Sequence, residues 1–591
     1  MITMMHSSFV STFFVFINFY WVRGDLSITL LHTNDIHSRI EETDQFGSKC
    51  QVSDRFRAKC YGGIARLSTA IKTIRKDVKN VILLDGGDQQ TGTLWYDVYQ
   101  GNATVHFINK LRYDAMVLGN HDFDGGVDHV VSYLRKTNTS VILSNVDVSG
   151  EPSWPKNNLF YQSLILTVGG EKVGLCGYLL KNTPRVSKSG QNIKFNDEVT
   201  STRNCVTKLV KLGVNKIVAL GHSGIQMDKQ IAEEVDNVDV VVGGHTNTFL
   251  YTGPPPSNDV PAGPYPIVVT KRNGKKCLVV QAFAYTKYLG RLNVTFDSVG
   301  DVKRWTGNPV LLDQKIVPDA DVLSDIARMK SLVDKVGKVK IGQSLVFLDG
   351  KRRSCRIGEC ILGNLVTDAA IFDVASRTKL EKSWTGAAIA LWTANSIMAS
   401  IEVNKTGYIM YEDILNAFPY NNKIDIVDLS GAVLHEVLEK SALFYNEKSP
   451  SGFFLQVSGL RVTMDTNKNA NNRVIDVDVR CADCPIPVYT KLNKTKIYKV
   501  IISSYMASGA AGYEILRTKR LGHTPGATRE TEAIVQYIKL RTPLVFETGN
   551  RLILEHSSVI KSSGCIFIVD YLSIYIPFAL VVFQIVLRVR S

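Results

Sequence analysis

Side chains that could hold a metal ion follow five separate apolar runs of this chain. They carry carboxylate, amide and imidazole groups, and they are Asp35, His37, Asp88, Asn120, His222 and His245. Turn formation accounts for Gly, Asn and Asp at such places, but not for histidine at four of the five, His121 next to Asn120 being the fourth. Oxygen and nitrogen ligands without thiolate suit Zn²⁺, Mn²⁺ or Fe rather than Ca²⁺. The pattern therefore predicts a metal centre.

Six candidate ligands are too many for one tetrahedral ion. Two ions about 3.5–4 Å apart, bridged by a carboxylate, use them economically. We expect Asp88 to be the bridge, and Asp35 and His37 to share one ion. Such a pair lowers the pKa of a bound water and neutralises charge on a phosphoryl oxygen. The predicted chemistry is metal-assisted hydrolysis of a phosphoester.

His121 is not needed as a ligand if its neighbour Asn120 binds metal. Asp124, three residues further on, could hold His121 in one tautomer and stabilise its protonated form. His121 would then contact the phosphoryl group or the leaving oxygen. The alternative is a hydrogen bond with only a local role in the loop.

Elements that could position these side chains alternate along the first half of the chain. β-branched or aliphatic runs are separated by helical segments, as in an α/β domain; the runs are 26–31, 81–84, 115–118, 141–143, 216–220 and 238–242. Apolar residues at 64, 67, 71 and 74 share one helical face. Ligands bind at the carboxyl ends of strands in such sheets, so we expect the metal-type side chains to meet there.

A charged amphipathic segment separates this half from the next. Val322, Ile326, Met329 and Val333 recur at helical spacing without a strand signal. We expect a linking helix over residues 317–338, between an N-terminal domain of residues 25–316 and a C-terminal α+β domain of residues 339–548.

Hydrophobic segments at both ends predict export. Residues 9–22 have the length of a signal-peptide apolar region, and we expect residues 1–24 to be cleaved, with a membrane anchor as the alternative. Small residues at 562–564 precede an apolar tail over 565–587, which suggests a GPI-attachment signal. Arg588 and Arg590 favour a single transmembrane helix instead. Residues 549–591 are thus expected to form a stalk and a membrane anchor.

The ten cysteines agree with export. Three close pairs could form disulfides in an oxidising compartment: Cys50/Cys60, Cys355/Cys360 and Cys481/Cys484. A redox or zinc role is the rival interpretation of the last pair. The cysteines without an obvious partner are expected to be buried thiols, and they are Cys176, Cys205 and Cys277. Sequons at Asn102, Asn138, Asn293, Asn404 and Asn493 permit glycosylation.

Composition and charge narrow the classes of possible binding partner. The chain is globular in composition, with 45% hydrophobic and 21% charged residues. A formal net charge of +14 favours an anionic partner. No basic stripe interleaved with aromatics is present, so we expect no nucleic acid, whereas a phosphorylated small molecule fits.

Five motifs resemble, in order, those of the calcineurin-like metallophosphoesterases: Asp35-x-His37, Gly87-Asp88, Gly119-Asn-His121-Asp122, Gly221-His222 and Gly244-His245. The longer strings Leu-Leu-His-Thr-Asn-Asp-Ile-His and Val-Leu-Gly-Asn-His-Asp-Phe-Asp look like animal ecto-5′-nucleotidases and the related apyrases. The resemblance runs from about residue 26 to 548 and implies a four-layer αββα metal domain, a helical linker and a C-terminal α+β nucleotide-binding domain. It also implies two zinc ions, and a rotation between domains that carries substrate to them.

The same resemblance implies an extracellular enzyme, secreted or at the cell surface, that hydrolyses AMP or, as an apyrase, ADP and ATP. It is compatible with a homodimer. Substrate contacts are expected from Asn247 and from Arg356, whose forked donors suit phosphate. Tyr420 and Tyr505 stand where the family places two aromatic rings around the base, with core packing as the alternative.

Two loops of the second domain depart from the family. Its Asn-Gly-Gly-Gly-Ile-Arg loop reads Thr393-Ala-Asn-Ser-Ile-Met398 here, and its Gly-Gly-Asp-Gly segment reads Gly509-Ala-Ala-Gly512. A charge-assisted hydrogen bond contributes ~1.5–3 kcal/mol, or roughly tenfold to over a hundredfold in binding. Weaker or redirected nucleotide recognition is therefore expected. A non-catalytic nucleotide binder and hydrolysis of another phosphoester stay open as alternatives.

Overall fold

The structure is a computed structural model that describes residues 25–45, 47, 49–157, 159–378, 383–402, 407–420, 422–447, 450–510 and 512–555. The expected signal segment, the hydrophobic tail, the sequon at Asn404 and Ala511 lie outside the described residues.

Fourteen strands are described in the first part of the chain. They are β1 (Leu26–Thr33), β2 (Val81–Asp85), β3 (Ala115–Met116), β4 (Val146–Asp147), β5 (Leu164–Val168), β6 (Glu171–Leu179), β7 (Lys194–Phe195), β8 (Ile217–His222), β9 (Val240–Val242), β10 (Ile267–Thr270), β11 (Lys276–Val280), β12 (Tyr288–Phe296), β13 (Val302–Gly307) and β14 (Val310–Leu311).

Helices alternate with these strands. They are α1 (Val52–Phe56), α2 (Ile64–Asp77), α3 (Leu94–Tyr99), α4 (Asn102–Leu111), α5 (Val127–Lys136), α6 (Thr183–Val186), α7 (Glu198–Lys211), α8 (Ile225–Glu234) and α9 (Ala320–Gly337), and a 3₁₀ turn spans Asn120–Phe123.

Two six-stranded sheets form the centre of this part. The first has the order β13-β12-β1-β2-β3, with β14 attached to β12, and the second has the order β10-β11-β9-β8-β6-β5. In the first sheet β1, β2 and β3 run parallel, and in the second β6, β8, β9 and β11 do. Strands buried on both faces explain the continuous aliphatic runs of the sequence. One hydrophobic core includes residues of both sheets, such as Leu292 and Leu220, and confirms the predicted αββα layering.

The run at 141–143 is a wrong strand prediction. Ile142 donates its amide to Met116, whereas the next two amides go to Tyr161 and Gly177. Because successive hydrogen bonds reach three different segments, the run makes isolated bridges instead of a continuous ladder.

The described residues form one more disulfide than expected. The three predicted pairs are disulfides, and a fourth joins Cys176 to Cys205, which were wrongly expected to be thiols. These two are 29 residues apart and meet because β6 packs against α7. Cys277 is a buried free thiol, as expected.

The second part of the chain follows α9, which lies within the expected linker. Its described helices are α10 (Arg352–Ile357), α11 (Ile361–Arg377), α12 (Tyr411–Ala417), α13 (Gly431–Phe444), α14 (Ser504–Ala507), α15 (Ile515–Thr518) and α16 (Glu530–Arg541).

The strands of this part are β15 (Lys340–Gln343), β16 (Ile389–Thr393), β17 (Tyr408–Met410), β18 (Ile424–Ser430), β19 (Leu455–Ser458), β20 (Leu460–Asp465), β21 (Val474–Arg480), β22 (Tyr489–Lys491), β23 (Ile497–Ser503), β24 (Gly522–Thr524) and β25 (Leu552–Glu555). A five-stranded sheet has the order β19-β16-β23-β18-β24, and a four-stranded sheet has the order β22-β21-β20-β25. Separate cores cover the two faces of the larger sheet, as an α+β arrangement requires.

Candidate metal centre and substrate site

The six candidate ligands converge at the carboxyl ends of strands in both sheets. Asp35 and His37 follow β1, Asp88 follows β2, and Asn120 begins the 3₁₀ turn after β3. From the second sheet, His222 ends β8 and His245 follows β9. These strands belong to the two sheets of the αββα domain, so the site lies where both sheets end together.

Two groups of three candidate ligands share Asp88. Ligand atoms of Asp35, His37 and Asp88 all lie within 4.8 Å of one another, and so do those of Asp88, His222 and His245. Asp88 Oδ2 lies 3.6 Å from His37 Nε2 and 3.0 Å from His222 Nε2. A carboxylate common to two groups is what two bridged cations need.

Buried polar atoms without a hydrogen-bond partner at the candidate metal centre fit a bound cation. Asn120 Oδ1 is buried and has no hydrogen-bond partner among the described residues. His222 Nε2 is also buried, and Asp88 Oδ2 lies 3.0 Å from it. Buried polar atoms without a partner are rare in folded proteins. They therefore indicate a group that the protein binds.

The protonation states of His37, His245 and Asp88 agree with metal binding. Burial lowers the pKa of His37 and of His245 to about 3, so both imidazoles are neutral, as a ligand must be. Burial opposes ionisation of Asp88, but the neighbouring His222 and His121 hold the pKa of its carboxyl well below the usual range. The donor set therefore fits divalent cations.

Backbone strain is concentrated at the same residues. Asp35, His37, Asp88, His245 and Asn247 all have positive φ, between 50° and 76°. Non-glycine residues rarely adopt this conformation, and strain of this kind clusters at functional sites. No sequence pattern reveals it.

His121 and Asp124 form a dyad beside the ligands. His121 Nδ1 lies 2.8 Å from Asp124 Oδ2, and the His121 amide donates to Asp88 Oδ1 at 2.8 Å. The ring centroids of His121 and His37 are 5.3 Å apart. Gly119 permits this approach, since a Cβ there would lie 2.0 Å from Asp88 Oδ1.

A small gap of about 20 Å³ lies over the dyad. His37, His121 and Asp124 border it from the first part of the chain, and Tyr420 borders it from the second. Two further lining residues were missed from the sequence, Arg39 and Tyr285, and the Arg39 guanidinium lies 4.4 Å above the Tyr285 ring. Arg39 could have been noticed two positions after His37. Tyr285, some 250 residues away, gives no such signal.

The other predicted substrate residues, Asn247, Arg356 and Tyr505, lie in different parts of the fold. Asn247 sits near His245, and its Oδ1 is buried without a partner among the described residues. Arg356 lies on α10 in the second part of the chain. Tyr420 is close enough to influence the pKa of the Arg356 guanidinium. Tyr505 is on α14, where Ser504 donates its amide to Lys423 at 2.8 Å. The structure therefore brings Tyr420 to the metal centre directly, and Tyr505 to the same end of the β18–β23 pair as Tyr420.

The fold and the site define a metal-dependent phosphoesterase. The calcineurin-like phosphoesterase family model matches residues 28–249, and that of the 5′-nucleotidase C-terminal domain matches residues 336–518. This chain belongs to the 5′-nucleotidase family, and it is a metal-dependent hydrolase.

Relatives from animals and bacteria support this membership. The chain is 42% identical to the 5′-nucleotidase of Bos taurus, over 84% of this chain and 86% of the relative. It is 41% identical to the snake venom 5′-nucleotidase of Naja atra, over 87% of this chain and 96% of the relative. The crystal structure of a 5′-nucleotidase precursor from Thermus thermophilus aligns with a TM-score of 0.71 and 31% identity, covering 90% of this chain and 99% of that one.

Family membership and disulfides agree with a location outside the cell or at its surface. Four disulfides among the described residues suit an oxidising compartment. Within the described ranges, none of the helices has the length and apolarity needed to cross a membrane.

Proposed function

We propose that this protein hydrolyses nucleoside 5′-monophosphates, with AMP giving adenosine and phosphate, by means of two zinc ions. The observation that carries this proposal is Asp88, which is shared by two ligand groups beside the His121–Asp124 dyad. The relatives named 5′-nucleotidases supply the substrate class. No structural observation favours the apyrase or the non-catalytic alternative.

The ligands divide between two cations. Asp35, His37 and Asp88 would hold one, and Asp88, Asn120, His222 and His245 would hold the other. When bound, such a pair supplies an activated water and neutralises charge on the phosphoryl group. Three imidazole nitrogens among the six ligands suit zinc.

His121 would act directly on the substrate. Asp124 occupies its Nδ1, so Nε2 is the ring nitrogen left to donate to a phosphoryl oxygen or to the leaving 5′-oxygen. Its position in the wall of the gap supports this role. We assign Asp124 to orienting the imidazole.

Recognition of the nucleotide would come from the second part of the chain. Arg356 would bind phosphate with its forked donors, and Asn247 would contact it from the first part. Tyr420 and Tyr505 would stack on the base. Their common location at one end of the β18–β23 pair, where Ile424 pairs with Ser503, supports this.

Phosphate release tests the proposal. Purified protein, stripped of metal and reloaded with zinc, manganese or cobalt, is given AMP, ADP, ATP and a generic aryl phosphate. We expect AMP to be cleaved fastest with zinc, and no cleavage after stripping. Failure to cleave AMP at any metal loading would reject the proposal, and equal rates on the aryl phosphate would indicate a less specific phosphoesterase.

The expected domain limits and membrane attachment belong to the same proposal. A metal domain over residues 25–316 and a substrate domain over residues 339–548 would be joined by the linker at 317–338. The tail over 565–587 would direct GPI attachment. Release of the mature protein from cells by a phosphatidylinositol-specific phospholipase C tests that attachment, and light scattering of the released protein tests the homodimer.

A further inference from the structure

One buried side-chain amide holds both ends of a loop at the metal centre. The loop runs from Gly244 to Thr248, and we call it the His245 loop after the candidate ligand that it carries. Gln281 follows β11 directly and is fully buried. Its Nε2 donates to the Gly244 carbonyl at 3.1 Å, and its Oε1 accepts the Thr248 amide at 3.1 Å. Gln281 therefore fixes the first and the last residue of the loop at once.

These two backbone contacts fix the orientation of the Gln281 amide. A peptide carbonyl only accepts and a peptide N–H only donates, so Nε2 must face Gly244 and Oε1 must face Thr248. Nε2 also donates to Asp228 Oδ2 at 2.6 Å, and Oε1 also accepts the Thr246 hydroxyl at 3.3 Å. Every donor and acceptor of this amide is thus used. A fully satisfied buried network of this kind specifies one arrangement.

Asp228 attaches the same network to the core of the second sheet. Its buried carboxyl lies on α8, and the Tyr178 hydroxyl donates to its Oδ1 at 2.6 Å. Gly243 permits this approach, since a Cβ there would lie 1.8 Å from Asp228 Oδ2. Because Tyr178 lies on β6 and Gln281 follows β11, the network connects the His245 loop to two strands and one helix.

The His245 loop needs support because its backbone is strained. His245 has a φ of 76° and Asn247 a φ of 52°. Non-glycine residues keep such values only where the surrounding structure enforces them. The His245 amide also donates to Asp35 Oδ2 at 2.9 Å, which restrains the loop at the ligand side. Without Gln281 this single contact would oppose relaxation of the loop, and the imidazole of His245 would move.

We propose that Gln281 is a positioning residue, which holds the His245 imidazole in place for the cation shared with Asp88 and His222. The inference rests on the proposed metal-dependent function and adds a residue outside the ligand set. Groups that orient a metal ligand from behind contribute about 10–100-fold to metal affinity. Loss of the Gln281 hydrogen bonds should therefore weaken this cation and spare the one held by Asp35 and His37.

Zinc affinity tests the inference without relying on turnover. The full chain is stripped of metal, and wild type and Q281M are titrated with zinc against a chromophoric chelator. Methionine has a similar length to glutamine, but its sulfur is only a weak acceptor and it has no donor. For Q281M we expect one of the two zinc dissociation constants to rise about 10–100-fold and the other to stay within about threefold. Its kcat for AMP should rise with free zinc to at least about a third of the wild-type value, since all six ligands are still present.

Q456M is the matched control for loss of stability alone. Gln456 is also a fully buried glutamine whose Nε2 donates to two backbone carbonyls, but it lies on β19 in the second part of the chain. Denaturant unfolding should show that both variants are less stable than the wild type. Both zinc dissociation constants of Q456M should nevertheless stay within about threefold of the wild-type values.

Unchanged zinc constants in Q281M would overturn the inference. An equal rise in Q281M and Q456M would overturn it too, since lost stability then explains the effect. If Q281M does not fold, Q281N decides: it keeps the amide but is one methylene shorter, so a rise of about three- to tenfold in the same constant is expected, and no rise overturns the inference. If the wild type binds two zinc ions but does not cleave AMP, the proposed function fails, and the zinc constants still decide the role of Gln281.

Discussion

Asp88 connects the metal ligands to the dyad. Its Oδ2 faces His37 and His222, while its Oδ1 accepts the His121 amide. A substitution at Asp88 would therefore disturb both halves of the site at once. His121 can be removed with every candidate ligand in place, so its contribution can be measured separately.

H121A should lower kcat by about 10²–10⁴-fold, which is the usual contribution of a positioned acid or base. Zinc content, measured by mass spectrometry, should not change. The control is H106A, because His106 Nε2 lies 2.8 Å from Asp325 Oδ2 in a similar pair outside the site. H106A should keep kcat within about twofold, and an H121A protein with more than a tenth of wild-type kcat would contradict the assignment.

A second residue-level prediction concerns Asp239, away from the metal centre. Burial raises the pKa of its carboxyl to about 8, and the Ile217 amide donates to it at 2.8 Å. The unfolded chain loses this proton near pH 4, whereas the folded protein keeps it to about pH 8. Unfolding in that window releases a proton, so stability falls as pH rises, by up to about 1.4 kcal/mol per pH unit.

D239N should flatten this dependence. The protein is first treated with a chelator, which removes effects of metal release. Its thermal unfolding is then followed at several pH values from 5 to 8. The wild-type midpoint should fall more steeply with pH than that of D239N. D236N, at an exposed neighbouring carboxylate, should behave like the wild type, and parallel profiles for wild type and D239N would disprove the prediction.

Among the elements, the strands were largely predictable and their connections were not. The aliphatic runs at 26–31 and 81–84 became β1 and β2, because a buried parallel strand needs an apolar side chain on both faces. Polar residues at strand ends had to converge for the same topological reason. The arrangement of ligands in two sheets depended on pairings such as β1 with β12, over 260 residues apart.

Long-range contacts explain what was missed. Cys176 and Cys205 meet only when β6 packs on α7. Tyr285 reaches the site because its amide donates to the Asp35 carbonyl at 2.9 Å, 250 residues earlier in the chain. Local spacing contains no information on such contacts.

The disulfide loop that carries Arg356 depends on one buried side chain of β19. Gln456 Nε2 donates to the carbonyls of Cys355 and Gly358, each at 2.7 Å, and its Oε1 accepts the Cys360 amide at 3.0 Å. Q456L leaves these three groups unsatisfied, and each such group costs about 1–3 kcal/mol. We expect a loss of at least about 3 kcal/mol in the free energy of unfolding and a raised KM for AMP.

Denaturant unfolding and AMP kinetics measure the two effects of Q456L. Q230L is the control, since Gln230 is exposed and bonds only across its own helix to Glu234 at 2.9 Å. It should stay within about 0.5 kcal/mol of the wild type. A Q456L protein as stable as Q230L would mean that the loop does not depend on the hydrogen bonds of Gln456.

At the scale of the whole molecule, the two parts of the chain meet over the metal centre. α9 is fixed to the first part, because Ser68 donates to Asp319 at 2.6 Å and Lys330 pairs with Glu41 at 2.8 Å. Lys49 of the first part pairs with Glu412 of the second part at 2.5 Å, across the boundary between the two parts, which we call the seam. The gap of about 20 Å³ between the parts has room for about one water, and a phosphoryl group is larger. A cavity of about 350 Å³ lined by Asp124 and Tyr420 adjoins this gap, and we expect the seam to open when a nucleotide passes from it to the dyad.

Charge reversal at the seam tests that expectation. Lys49 and Glu412 are partly exposed, and pairs of this kind contribute about 0.2–1 kcal/mol. K49E replaces the attraction with repulsion and raises the open fraction. The apparent dissociation constant equals the intrinsic one divided by that fraction, so it falls as the fraction rises. We expect KM for AMP to fall about 1.5- to fivefold at low salt in K49E and in E412K, whereas the double variant K49E/E412K restores the pair and the wild-type KM. High salt should reduce the difference, since exposed charges are screened. A KM that is unchanged or raised in both single variants would mean that the nucleotide reaches the metals without separation of the two parts.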